Sequence, residues 1–261
     1  MEWDPGPPPA IRTIFEQAPL TEYEGVPKRF RLEWGPMYYR GRLDGSARVL
    51  IVGQDPAASE NVVRRILAGE AGQRVQRFLA KLGLTRSYIM VNSVLYSIFG
   101  QFDAEMQDFM DRPAVLKWRN SLLDALAVPG IQAVLGFGKA AEHVIDTWPG
   151  AQAWKASHRV FFLKHPTAQP DAAVLQNWSS QLQAIGARVT PDADGTPDLT
   201  SYPGPAFGPE DVLSIPLRDL GFGMPKWMGT GRIAQRLTTS QIPPEAGDHP
   251  SILLISQGAE G

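Results

Sequence analysis

The most regular signal along the chain is a set of short apolar runs. Each ends in a polar or glycine-containing turn, and each is followed by a stretch with helical spacing. The first run spans about 48–53 and ends in Gly53-Gln54-Asp55-Pro56. Ser59-Glu60-Asn61-Val62 then opens a helical segment, with Ser59 as the expected cap. A second helix begins near Glu70, where Val75, Phe78, Leu79 and Leu82 share a face and Gly83 is placed to end it. The second run is Tyr88-Ile89-Met90-Val91-Asn92, followed by a polar-aromatic loop and a helix over about 113–127. The third run, Ile131-Gln132-Ala133-Val134-Leu135, passes through Gly136-Phe137-Gly138 into a helix over 139–148. The fourth, Val160-Phe161-Phe162-Leu163, stops at His165-Pro166-Thr167, and a helix over about 171–185 closes the unit.

Strands of this length alternating with helices predict an α/β fold with a parallel sheet covered on both faces. Four strands make it a three-layer α/β/α sandwich over residues 48–190, with the four-stranded sheet in the middle. Residues 1–47 read as a lead-in packed on that core. Its first 12 residues are Pro-rich, expected either to lack order or to drape over the surface, and a short helix follows. From Pro191 the composition shifts to Pro, Gly and Asp. Residues 191–261, with Trp227, Arg232 and Arg236, read as an extension that packs on the core and not as a second catalytic domain.

Composition narrows the chemistry. The chain of 261 residues has no cysteine, which excludes disulfides, thiolate catalysis, zinc–thiolate sites and iron–sulfur clusters. A net charge of −2 means that any nucleic-acid contact must come from a local basic face. No apolar run reaches the ~18 residues of a membrane helix, so no membrane partner is expected. The N-terminus lacks a basic stretch followed by an apolar core, so a cytoplasmic protein is the expectation. A monomer is expected as well.

In a parallel sheet the ends of successive strands project from one edge, where open α/β folds build their sites. Gln54-Asp55, Asn92 and His165 therefore share a rim. Each has a plainer role open to it. Asp55 could cap the next helix, Asn92 could satisfy backbone groups at a strand end, and His165 could be a structural residue before Pro166. Gly136-Phe137-Gly138-Lys139 is neither a Walker A loop nor a dinucleotide fingerprint, and reads as a tight strand-to-helix turn. Arg64, Arg65, Arg74, Arg77, Lys81 and Arg86 crowd one region, for which a solvated helix face is the usual explanation. Arg64 and Arg65 lie nearest the first turn, and Lys164 lies beside His165, so these three are candidate phosphate contacts.

Taken together, Gly53-Gln54-Asp55-Pro56, Val91-Asn92-Ser93-Val94-Leu95 and His165-Pro166-Thr167-Ala168 resemble the motifs of the uracil-DNA glycosylase superfamily, in its order. Gly69-Glu70-Ala71-Gly72-Gln73 is similar to the helix between the first two motifs in bacterial branches. The resemblance covers about residues 48–186 and implies a monofunctional enzyme that flips deoxyuridine from DNA and hydrolyses its N-glycosidic bond. It implies no metal or cofactor, and uracil-containing DNA as partner. Asp55 would hold water beside C1′ and stabilise the sugar cation. His165 would donate to O2 of the departing uracil anion, a charge that develops only in the transition state. Asn92 would read N3–H and O4 of the flipped base, and the Gln54 backbone would bind a uracil oxygen.

The chain departs from the family at three places. Ala57 stands where the best-known branch has Tyr against the thymine methyl. Leu67 aligns with the aromatic that stacks on uracil, with Phe99, Tyr96 and Tyr39 as substitutes. Gln169 takes the place of the DNA-wedge Leu, and Thr167 in the same loop is a further candidate DNA contact. The alternatives are a glycosylase for hypoxanthine or mismatched thymine, a DNA-binding module without turnover, or a small-molecule hydrolase.

Overall fold

A computed structural model describes residues 4–221. Trp227, Arg232 and Arg236, expected in the C-terminal extension, lie outside the described residues.

The four apolar runs form the strands β2 (Val49–Gly53), β3 (Tyr88–Asn92), β4 (Ala133–Phe137) and β5 (Val160–Leu163), all mutually parallel. The sheet has five strands and not four. A two-residue strand β1, Arg40–Gly41, pairs antiparallel with β3, and the order is β1-β3-β2-β4-β5. Its pairing is carried by the partner strand, so two residues leave no periodic signal. The third run begins two residues later than expected: Ile131 N bonds back to Val128 O in a turn, and Gln132 N bonds to Arg48 O just ahead of the ladder, which starts at Ala133.

Alternation along the strands divides the core. Leu50, Val52, Ile89, Val91 and Val134 face one layer, where Phe15, Tyr23, Leu122, Val144 and Ile145 pack. Val49, Ile51, Met90, Leu135 and Phe137 face the other, against Val75, Phe78, Leu79, Trp178 and Leu182. Every residue of β2, β3 and β4 is buried, as expected of strands covered on both sides.

The helices before β2 are α1 (Pro9–Glu16) and α2 (Leu20–Glu24). Asp4 is buried and bonded to Arg65, so the Pro-rich start is packed down. After β2 come α3 (Ala58–Val63) and α4 (Glu70–Lys81). Ala57, not Ser59, is the cap residue of α3. The Glu60 carboxylate accepts the Ala57 N–H at 2.9 Å, which leaves no role for a hydroxyl at position 59. Leu84 N bonds to Leu79 O and Gly83 takes φ +73°, ending α4 as the sequence predicts.

The polar-aromatic loop after β3 contains a helix, α5 (Ala104–Met110), started by the Asp103 carboxylate accepting from Met106 N. It is followed by α6 (Pro113–Leu126), α7 (Lys139–Thr147), α8 (Ala151–Ala156) and α9 (Asp171–Gly186). Beyond α9 the chain returns across the core to the edge strand. Asp219 there is fully buried and bonds to Arg40, Arg42 and the Tyr88 hydroxyl.

The strand order sets the site. From β2 the chain moves to β3 on one side, and from β4 it moves to β5 on the other. The connections diverge between β2 and β4, and a crevice opens at that switch point.

Candidate active site

The carboxyl end of β2 supplies the first wall. Gly53 O accepts from Ser93 N at 2.9 Å and from Ser93 Oγ at 2.7 Å, and Gln54 O accepts from Val94 N at 3.2 Å. These bonds tie the ends of β2 and β3 together beyond the last pair of the ladder. Asp55 follows, half-buried, with its two oxygens divided. Oδ1 accepts from Gln54 Nε2 at 3.1 Å and Oδ2 from the Ile98 amide at 3.1 Å. Burial raises the Asp55 pKa above 3.8, and the Ile98 and Gln54 donors pull it back in part. Asp55 caps nothing. The N-terminus of α3 is served by Glu60.

Asn92 ends β3 opposite Gly53. Its side chain is buried, yet neither Oδ1 nor Nδ2 has a hydrogen-bond partner among the described residues. The role of satisfying backbone groups is therefore not what this amide does. It lies so close to Gly53 that a Cβ on that glycine would sit 2.5 Å from Oδ1. Leu67 Cδ1 would be 3.5 Å from the same position. Amide and apolar side chain thus meet over Gly53.

Leu67 is held there by an unusual backbone. Its φ is +50°, a conformation that strains a side chain branched beyond Cβ. Two features keep it. A Cβ on Gly72 would overlap the Leu67 carbonyl, so only glycine lets α4 pass beneath it. Glu60 Oε1 accepts from Ala68 N at 2.8 Å and Gly69 N at 2.9 Å, while Oε2 holds Ala57 N. One buried carboxylate therefore clamps the loop after Asp55 to the loop bearing Leu67. Glu60 escaped sequence reasoning because two of its partners lie eight and nine residues on.

His165 closes the other wall, just beyond β5. The Thr167 N–H and hydroxyl approach its Nδ1 at 3.3 and 3.1 Å. An N–H can only donate, so Nδ1 is an acceptor and the neutral ring carries its hydrogen on Nε2. Burial lowers the His165 pKa from 6.5, which keeps the ring neutral at physiological pH. Its turn is anchored by Arg74 of α4, whose Nη1 donates to Pro166 O at 2.8 Å. Gly138, at φ +88°, packs against the ring: a Cβ there would lie 3.1 Å from His165 Cβ. The glycine turn after β4 thus makes room for His165.

A groove of ≈ 490 Å³ lies along the His165 wall and reaches the first wall at Gln54, lined among others by Phe102, Lys139, Lys164 and His165. Gln54 joins the halves, since it borders the groove and bonds to Asp55. Asp55, Asn92 and Leu67 are not on the groove lining; Asp55 follows Gln54 directly, and Asn92 and Leu67 meet at Gly53, one residue before it. Thr167 is exposed and spends its polar atoms on His165. Gln169 is exposed, outside the groove lining, and bonds to Asp171.

Arg64 and Arg65 are not phosphate contacts. Both are buried. Arg64 donates to Trp34 O and Pro36 O, and Arg65 to Asp4 and Arg64 O. Arg74 and Lys81 are likewise buried, paired with Asp171 and Asp198, so much of that basic run faces inward. Tyr39 and Tyr96 are buried as well, Tyr39 stacked with Phe15 and Tyr96 packed on Tyr23, and present no face to a flipped base. Among the described residues no group of three or more side chains is arranged to hold a metal ion, and no helix is long and apolar enough to cross a membrane.

Residues 41–183 match the family model described as the Uracil DNA glycosylase superfamily. No curated protein matches the chain in sequence.

Proposed function

The chain belongs to the uracil-DNA glycosylase superfamily, whose members act on DNA, and on that premise we propose that it excises uracil as a monofunctional glycosylase. The observation that carries the reading is the Asn92 amide, a buried donor and acceptor pair with no partner among the described residues. A buried unpaired polar group costs about 1–3 kcal/mol. Uracil offers the complement: N3–H to Oδ1 and O4 to Nδ2, whereas cytosine presents an acceptor and a donor in the reverse order. Leu67 beside the amide supplies an apolar surface for the ring of the base.

The remaining groups fit the bond cleavage. Asp55, with one bond to each oxygen, keeps lone pairs for an attacking water and stabilises the sugar cation that forms as the base leaves. His165 in the Nε2–H form donates to the uracil anion at O2, and its neutrality means that it need not lose a solvated charge to do so. Lys139 and Lys164 on the groove rim meet DNA phosphates, in place of the buried Arg64 and Arg65.

A second substrate deserves inclusion. Ala57 is exposed and carries only a methyl where the best-known branch has Tyr, so no bulk at this position opposes a thymine methyl. The test is base release from oligonucleotides containing uracil, a T·G mismatch or hypoxanthine. The reading expects uracil to be released fastest. Release of hypoxanthine or thymine with no release of uracil refutes it, and DNA binding without release of any base replaces it with a binding module.

A further inference from the structure

The site needs a grip on the strand that carries the flipped nucleotide. One element beside it has the chemistry. The amide of Ile98 holds Asp55, and the next residue, Phe99, turns outward with 39% of its surface exposed. The other exposed large hydrophobics among the described residues are Val62, Leu213 and Leu217, so Phe99 is the aromatic one. Behind it stands Arg31, whose guanidinium lies 4.1 Å from the Phe99 ring centre and 4.9 Å from that of Trp34. Backbone bonds from Arg31 N to Ser97 O and from Phe99 N to Arg29 O fix the two segments together.

The charge on Arg31 is unspent. Arg29, Arg64, Arg65 and Arg74 each donate to a carboxylate or a carbonyl. Among the described residues no carboxylate forms an ion pair with Arg31. A ring contact uses none of the guanidinium N–H donors, the groups that bind phosphate, and no side-chain hydrogen bond of Arg31 is made among the described residues. An exposed aromatic ring beside a cation that forms no ion pair among the described residues is the combination that single-stranded nucleic acid requires.

Resting on the glycosylase reading, we propose that Phe99 and Arg31 form a subsite for the unpaired nucleotide next to the excised one. The base stacks on Phe99 and the phosphate meets the Arg31 edge. A base on Phe99 has left at least one of its neighbours in a duplex, so the subsite favours single-stranded or melted DNA.

The experiment is anisotropy titration of a labelled, uracil-free oligothymidylate with wild type, Phe99→Ala, Phe99→Trp and Arg31→Ala. Uracil release from single- and double-stranded DNA is measured alongside. Stacking of one base is worth about 1–3 kcal/mol, so Phe99→Ala weakens oligothymidylate binding about 5- to 150-fold and Phe99→Trp restores it. Arg31→Ala lowers the slope of log affinity against log salt by about 0.7, the value for one phosphate of a single strand. Wild-type affinity in Phe99→Ala overturns the proposal. So does a Phe99→Ala enzyme that loses uracil release but binds uracil-free DNA normally, because that puts Phe99 on the flipped base. Phe99-dependent binding by a wild-type protein that releases no uracil upholds the subsite while refuting the glycosylase reading.

Discussion

Replacing Asn92 by Leu should raise stability and abolish base recognition together. The two side chains are close in shape, so the change removes the amide without opening a cavity. In the folded protein Oδ1 and Nδ2 are buried and have no partner among the described residues, while in the unfolded chain both are solvated. Removing such groups recovers about 1–3 kcal/mol of desolvation. For a domain of this size that is a rise in melting temperature of about 2–12 °C. The assay is thermal unfolding of wild type and Asn92→Leu in the same buffer, with uracil release measured on the same preparations. A variant that melts higher and no longer releases uracil matches the reasoning. A variant that melts lower by several degrees refutes it, since the amide would then be supporting the fold.

Other expectations follow from single contacts. Asp55 must be ionised and His165 neutral, so kcat/KM rises with pH through both and levels off near neutrality; an optimum near pH 4 would contradict this. The raised Asp55 pKa also means that ionisation costs stability as pH climbs from the unfolded to the folded pKa. Asp55→Asn should therefore melt above wild type at pH 7, with the gap closing in acid. Gly72→Ala lies inside a helix, where propensity alone predicts a gain of about 1 kcal/mol. The overlap with the Leu67 carbonyl predicts the opposite, a loss of several degrees in melting temperature together with lost activity. Glu60→Gln places an N–H donor facing backbone donors at one oxygen position and should cost about 1.5–3 kcal/mol, read by denaturant unfolding.

Much of the architecture could be read ahead because β2 to β5 are short apolar runs with polar stops, and burial on both faces makes such runs conspicuous. The positions of Gln54, Asp55, Asn92 and His165 followed from the same pattern, since strand ends in a parallel sheet share an edge. What could not be read depends on distant partners. Arg64 and Arg65 look like surface cations until Asp4 and the carbonyls of Trp34 and Pro36, far away in sequence, turn them inward. The buried clamp made by Glu60 and the seat that Gly72 provides for Leu67 are likewise products of packing between loops. Strand β1 is too short to carry a period, and Asp219 reaches it from the far end of the chain.

The most direct test of the assigned site is single-turnover release of uracil from a uracil-containing oligonucleotide by wild type, Asp55→Ala and His165→Ala. Removing one donor aimed at developing charge costs about 10²–10³ in rate, so wild type should release stoichiometric uracil and His165→Ala should be slower by that factor. Loss of the Asp55 carboxylate should slow release at least as much. Uracil release at wild-type rates in both variants, with their folds intact, would contradict the account.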